Sequence, residues 1–409
     1  MEVDRGAAAA VGRRDLAEAA LRAGDAVGAC ELAEAQMKAA SSDGWARCCA
    51  LLAPGQAASE ASVSEVSVRA DPQVASTMLP LAGIAQVPDW SAPYTPPPLR
   101  LLALRNWTAL APNVLVSRAG HLLDDHVGYP PSELWRHGVA DFPGYVAAAG
   151  QIVLCERASQ TVRLARPCFY LNASSNYAAW LMGDLPRLAL LEQVRGVPIV
   201  LHGAVQDFHR ASLALLGIDA AHVIEVAAGT RFECAQLYYV TSTYVHHAPG
   251  AHALNWLRVA VRRALGSGHR QLPLYLARRN YSAARPMLNE GALIAMLEGR
   301  GFLAIDAERH PLREQAVLAA AARLVVAPYG AALANALFAP PDAAALIIAT
   351  KTQPEFARLL SLAGLPFAHV VAKPVKLRDG RNVSESYGYE TNLAELTAVL
   401  DGSSLGRAG

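Results

Sequence analysis

The chain is predicted to be α/β: two doubly wound units in succession facing one cleft, behind a small helical segment. From Leu272 to Lys351 the sequence reads strand, helix, strand, helix, strand, helix, strand, with its polar residues at the turns. A comparable alternation fills residues 99–265. Ahead of both, residues 6–54 are alanine-rich with helical spacing.

Taken in order, Asp15–Arg22 and Asp25–Lys38, parted by Ala23-Gly24, form one antiparallel helix pair of the kind that tetratricopeptide proteins stack. A single pair buries no solenoid core, so residues 1–54 read as a helical cap or oligomerisation arm. Residues 55–98, rich in Ser, Val, Ala and Pro and ending Tyr94-Thr-Pro-Pro-Pro98, read as a linker with short strands. The first α/β unit, 99–265, has strands at Leu101–Leu104, Val114–Ser117, within Val162–Leu171, at Pro198–His202, His222–Val226 and Leu237–Ser242. Its helices are expected at about Ala178–Val194, Asp207–Leu216 and His252–Leu265. The second unit, 266–409, closes with a C-terminal helix. It opens on the strand Leu272–Ala277, and Asn289-Glu290 starts a helix with Leu293, Ile294 and Leu297 on its apolar side. Phe302–Ile305 is the next strand, Glu314-Gln315 starts an alanine-rich helix, and Arg323–Ala327 runs into Pro328-Tyr329-Gly330-Ala331.

That last turn carries chemistry. A strand that ends at a glycine and passes directly into a helix presents backbone N–H groups and the positive end of the helix dipole, which suits a phosphate. Arg278, Arg279 and Arg285 lie in one strand-to-helix connection of the same unit, and guanidinium groups grip phosphate oxygens through paired hydrogen bonds. Two readings are open: a diphosphate site, or a solvated cationic loop beside a tightly packed turn.

The segment Leu274-Tyr275-Leu276-Ala277-Arg278-Arg279, then Arg285, Asn289-Glu290, Gly301-Phe302, Glu314-Gln315 and Ala327 to Pro340 resembles the family-61 glycosyltransferases. Upstream, Asn176-Tyr177-Ala178-Ala179-Trp180-Leu181-Met182-Gly183-Asp184-Leu185-Pro186-Arg187-Leu188 is similar to that family's second signature, with the aspartate one residue closer to the proline. The chain also departs from the family at Ala179 and Tyr329, where histidines are usual, and at Ile347-Ile348, where a glutamate is usual. The resemblance implies a GT-B architecture of two Rossmann-type domains, acceptor chiefly on the first and nucleotide-sugar donor chiefly on the second. It implies donor-binding roles for Arg278, Arg279, Arg285, Asn289, Glu290, Tyr329, Gly330, Ala331 and Asn335, and acceptor-side roles for Tyr177, Trp180 and Arg187. The implied reaction moves a sugar from a nucleoside-diphosphate sugar to a glycan or polysaccharide, as in capsule biosynthesis.

Inversion at the anomeric carbon needs one general base and charge stabilisation at the departing diphosphate. Asp184 is the first candidate base; its alternative is an ion pair with Arg187 one helical turn on. His246 and His247 are the next candidates, and their alternative is a plain surface loop. Tyr177 and Trp180 either pack the helix or stack on a sugar. No Asp-x-Asp occurs, and Asp124-Asp125-His126 reads as a solvated loop, so the expected enzyme uses no metal and no cofactor.

Composition sets the outer bounds. With 53% hydrophobic residues, 17% charged and a net charge of +1, the chain has ample core and no basic arm for nucleic acid. Its six cysteines lack metal-type spacing, and Cys48-Cys49 reads as two buried or half-buried thiols, so a reducing cytosol is the default, with room for peripheral association at an inner membrane. Two other classes share these features: a degenerate nucleotide-sugar or glycan-binding protein without turnover, and an assembly factor using its N-terminal helices.

Overall fold

A computed structural model describes residues 19–20, 22–23, 44–52, 63–70, 73–75, 77, 93–96, 98–112, 114–123, 144–148, 151–157, 160–241, 244–245, 248–266, 271–278, 286–350, 354–376 and 387–402. The protein is mixed α/β, with three large sheets among these residues.

The middle sheet holds β1 (Val63–Arg69), β2 (Leu99–Leu104), β3 (Cys168–Ala173), β4 (Ile199–Gly203), β5 (Val223–Val226) and β6 (Leu237–Val240) in the spatial order β5-β4-β3-β6-β2-β1. Strands β3 to β6 are mutually parallel, and β2 and β1 close the edge antiparallel. The chain therefore steps from β3 outward to β4 and β5, then returns to place β6 on the other side of β3. That reversal creates a switch point between β3 and β6.

The C-terminal sheet is wholly parallel: β7 (Leu272–Ala277), β8 (Leu303–Asp306), β9 (Ala322–Pro328), β10 (Ala344–Ala349) and β11 (Phe367–Val371), in the order β8-β7-β9-β10-β11. Its switch point lies between β7 and β9. Period-two alternation sends Tyr275, Leu324, Val326, Leu346 and Ile348 to one face, under the helices Glu290–Glu298 and Leu393–Gly402. Leu274, Leu276, Val325, Ala345 and Ile347 go to the other, as expected of strands buried on both sides.

The third sheet is a largely antiparallel assembly of Gly144–Ala148, Gln151–Arg157, Gly44–Leu52, His121–Leu123, Val114–Ser117, Trp107–Ala111, Thr230–Cys234 and Gln160–Leu164. It packs on the outer face of the middle sheet through Trp107, Phe232, Tyr170 and Tyr239. This corrects one expectation. Gly44–Leu52 is a strand rather than the end of a helical segment, because its backbone pairs antiparallel with Gln151–Arg157 and parallel with His121–Leu123. Within residues 55–98, where short strands were expected, lies β1, and Thr77 accepts from Phe367 N (3.2 Å) and donates to Leu365 O (2.5 Å) at the edge of the C-terminal sheet. Most of the expected helix pair, Asp15–Lys38, lies outside the described residues.

One buried cluster joins the middle and C-terminal sheets: Phe169, Leu171, Trp180, Leu254 and Leu257 pack in the same core as Leu274, Leu333, Phe338 and Leu360. The helices Asp207–Leu215, Ala251–Leu265, Leu312–Ala320 and Pro354–Leu362 fill the layer between the sheets.

The connection from β3 to β4 departs from the regular helix expected over 178–194. One α-turn (Tyr177–Ala179) widens into a π-helical stretch (Trp180–Asp184) and then tightens into a 3-10 helix (Leu185–Val194). Pro186 is the reason, since it lacks the N–H that would continue the ladder. The Gly183 carbonyl accepts instead from Arg187 Nε (3.1 Å).

Candidate active site

In the C-terminal sheet the carboxyl ends of β7 and β9 lie side by side, and each leads straight into a residue singled out by sequence. Arg278 follows β7; its Nη1 donates to Tyr329 O (2.8 Å). Gly330 follows β9 and precedes the 3-10 helix Ala331–Phe338. Its backbone is extended (φ 169), which any residue adopts, so the glycine serves space: a Cβ there would lie 3.2 Å from Arg278 Nη1. Arg278 and the helix entrance thus share one crevice at the switch point, with the amides of Ala331 and Ala332 in the first turn, where no intrahelical acceptor exists.

Supports surround this pair. Glu290 is buried, and its Oε1 accepts from Arg278 N (2.7 Å) and from the Tyr275 phenol (2.9 Å). Asn289 exchanges two hydrogen bonds with the backbone of Thr391, at 2.7 and 3.0 Å. These bonds hold the Arg278 strand end and tie it to the C-terminal segment. Tyr329 N donates to Ile348 O (2.8 Å), its phenol donates to the Glu355 carboxylate, and its ring meets Phe356 edge-on. Glu355 was not found from sequence, because it stands on the helix after β10 with no motif around it.

Asn335 joins the two sheets. It is fully buried, and its Oδ1 accepts from the Tyr177 phenol (2.7 Å) while its Nδ2 donates to Gln315 Oε1 (2.8 Å) and Ala332 O (3.0 Å). Gln315 Nε2 donates in turn to Ala307 O (2.7 Å) and His310 O (2.8 Å). A polar relay therefore runs from the helical turn after β3 in the middle sheet to the turn after β8 in the C-terminal sheet. Every member satisfies the next, as buried amides require.

On the middle-sheet side, Asp184 is only 3% exposed. It accepts from Ser174 Oγ (2.5 Å) and Asn172 Nδ2 (3.2 Å), and Arg187 Nη2 lies 3.7 Å away. Burial pushes its carboxyl above the usual range, against the pull of Arg187, Ser174 and Asn172. Ser174 is half-buried at the carboxyl end of β3, and its carbonyl accepts from His209 Nε2 (3.0 Å). Arg187 is buried: Nη1 donates to Val240 O (3.0 Å), and the guanidinium lies over the Tyr239 ring at 5.0 Å. Trp180 is also buried, its Nε1 donating to Ser212 Oγ (2.9 Å) and its ring edge-on to His209 at 4.6 Å. These two side chains hold the core rather than a surface. Arg279, Arg285, His246 and His247 lie outside the described residues.

Among the described residues no group of three or more His, Cys, Asp or Glu is placed to hold a metal ion, and no helix is long and apolar enough to cross a membrane. Among curated proteins none matches the chain. Residues 177–346 match the family model described as Glycosyltransferase 61. That stretch begins at Tyr177 and ends within β10, so it encloses Asp184, Arg278, Gly330 and the whole relay. Over that stretch, less than half of its length, the chain is similar to the glycosyltransferase 61 family.

Proposed function

We propose that the protein transfers a sugar from a nucleoside-diphosphate sugar to a hydroxyl of a glycan or polysaccharide, with inversion and without a metal ion. The observation that carries this reading is Arg278 packed on Gly330 at the switch point of a parallel sheet, inside the stretch that matches the family. On this reading Arg278, Arg279 and Arg285 hold the donor diphosphate, and the amides of Ala331 and Ala332 share the charge that builds on the leaving group. The arrangement is of GT-B type: residues 266–409 take the donor and residues 99–265 the acceptor. The contact of Tyr177 with Asn335 supports it, because each stands in the helix that follows a parallel strand, so the carboxyl ends of the two sheets converge.

The acceptor hydroxyl must lose a proton. Asp184 is too buried to meet it directly, and the short bond from Ser174 supplies a route: Ser174 Oγ takes the acceptor proton as it passes its own to Asp184, whose raised pKa suits a base. His246 and His247, in the connection after β6, are the competing bases. Donor binding without transfer is the second reading, favoured by Ala179 and Tyr329 in place of the family's histidines. Incubating the protein with a panel of nucleoside-diphosphate sugars and measuring released nucleotide tests both. Release that grows with added glycan acceptor is expected; binding without release supports the second reading, and no binding removes both.

A further inference from the structure

We propose that Cys168 and Cys234 form a redox modification site, a dithiol that closes to a disulfide and ties the middle sheet covalently to the outer antiparallel sheet. Their sulfurs lie 3.3 Å apart, although the residues are 66 positions apart in sequence. Both are free thiols. Cys168 opens β3, and Cys234 closes the strand Thr230–Cys234. The backbones around them are already paired: Cys168 N donates to Gln236 O (3.0 Å), and Ala235 N donates to Leu164 O (3.2 Å). A disulfide needs a sulfur separation of about 2.05 Å, so the remaining closure is on the order of an ångström and falls within side-chain rotation.

The two thiols also differ in the way exchange requires. Cys168 is wholly buried, whereas Cys234 is partly exposed and open to a small reagent. The Cys168 S–H donates to the Cys234 sulfur, which lowers the Cys234 pKa and, together with burial, raises that of Cys168. With a low-molecular-weight disulfide RSSR as oxidant, the Cys234 thiolate attacks one sulfur and releases RS⁻, giving a mixed disulfide. Cys168, giving up its proton, then attacks the Cys234 sulfur and releases the second RS⁻. Two protein thiols are oxidised, one RSSR is reduced to two RSH, and the protons balance. The tie forms at the amino end of β3, the opposite end of that strand from Ser174.

The test uses the full chain held in glutathione buffers of rising oxidised fraction, quenched by alkylation and mapped by mass spectrometry. The expected result is a Cys168–Cys234 crosslink that forms in the oxidised buffers, reverses with dithiothreitol and raises the melting temperature. Cys234→Ala should leave Cys168 protected from glutathione and unlinked. Persistence of both free thiols in fully oxidised buffer would overturn the proposal. So would stable glutathione adducts on Cys234, or crosslinks from either residue to another cysteine.

Discussion

At the residue scale, Gly330 and Arg278 are complementary in space. Because Gly330 is extended, a larger residue keeps the backbone and displaces the guanidinium. Gly330→Val should therefore weaken nucleotide binding about as much as Arg278→Ala, roughly tenfold or more, since a charge-assisted bond is worth about 1.5 to 3 kcal/mol. Its melting temperature should stay near that of the wild type, which differential scanning fluorimetry checks. Asp184 makes the opposite case, because it is buried beside a buried arginine. Asp184→Ala leaves Arg187 without its carboxylate and should cost about 3 to 5 kcal/mol in chemical denaturation. Asp184→Asn keeps most of the volume and should cost less while lowering turnover about a hundredfold, and Ser174→Ala should lower turnover without the large stability loss. The pair Asp184–Arg187 was legible as an i, i+3 spacing. Its burial was not, because that depends on Tyr239 and Val240 arriving from β6, some fifty residues on.

At the element scale, most strands and helices were legible because the parallel strands of both sheets are largely buried and punctuated by Gly, Pro and polar turns. The strand at 272–277, the helix from Glu290 and the passage from β9 through Gly330 lie where the pattern placed them. The 178–194 helix was legible as a helix but not as π and 3-10 turns, since one proline and one side-chain bond to Gly183 O decide between ladders that differ little in energy. The relay Tyr177–Asn335–Gln315 was legible only as three motif residues; nothing in the spacing reveals that they touch. Asn335→Leu should leave the Tyr177 phenol and the Gln315 Oε1 without partners and cost about 1 to 3 kcal/mol for each group stranded. Urea denaturation of Asn335→Leu, Gln315→Leu and the double variant should give strongly non-additive losses, and additive losses would mean that the relay does not act as a unit.

At the scale of the whole molecule, the mixed α/β class was legible, and the core shared by the middle and C-terminal sheets was not, since interhelical packing between Trp180, Leu254, Leu333 and Leu360 leaves no local trace. Buried histidines also set a pH dependence. His202 and His369 are held near pKa 4 by burial, well below the free value of 6.5. The unfolded chain thus binds more protons than the native one below about pH 6.5. Stability from these groups is complete above that pH and is lost on acidification toward pH 4, by at most about 3 kcal/mol each. Asp184 acts with the opposite sign, because its native pKa is raised: its contribution improves as pH falls below that pKa. Among the described residues neither ring nitrogen of His369 has a hydrogen-bond partner, so His369→Phe should be tolerated at pH 7 and should flatten the acid side of a melting-temperature profile.

The central claim is that the crevice between β7 and β9 binds the donor diphosphate. Isothermal titration of UDP, GDP, ADP and CDP into wild type, Arg278→Ala and Gly330→Val tests it most directly. The account predicts that wild type binds at least one of the four and that both variants lose roughly tenfold or more in affinity for it. Equal affinity in wild type and both variants would contradict it.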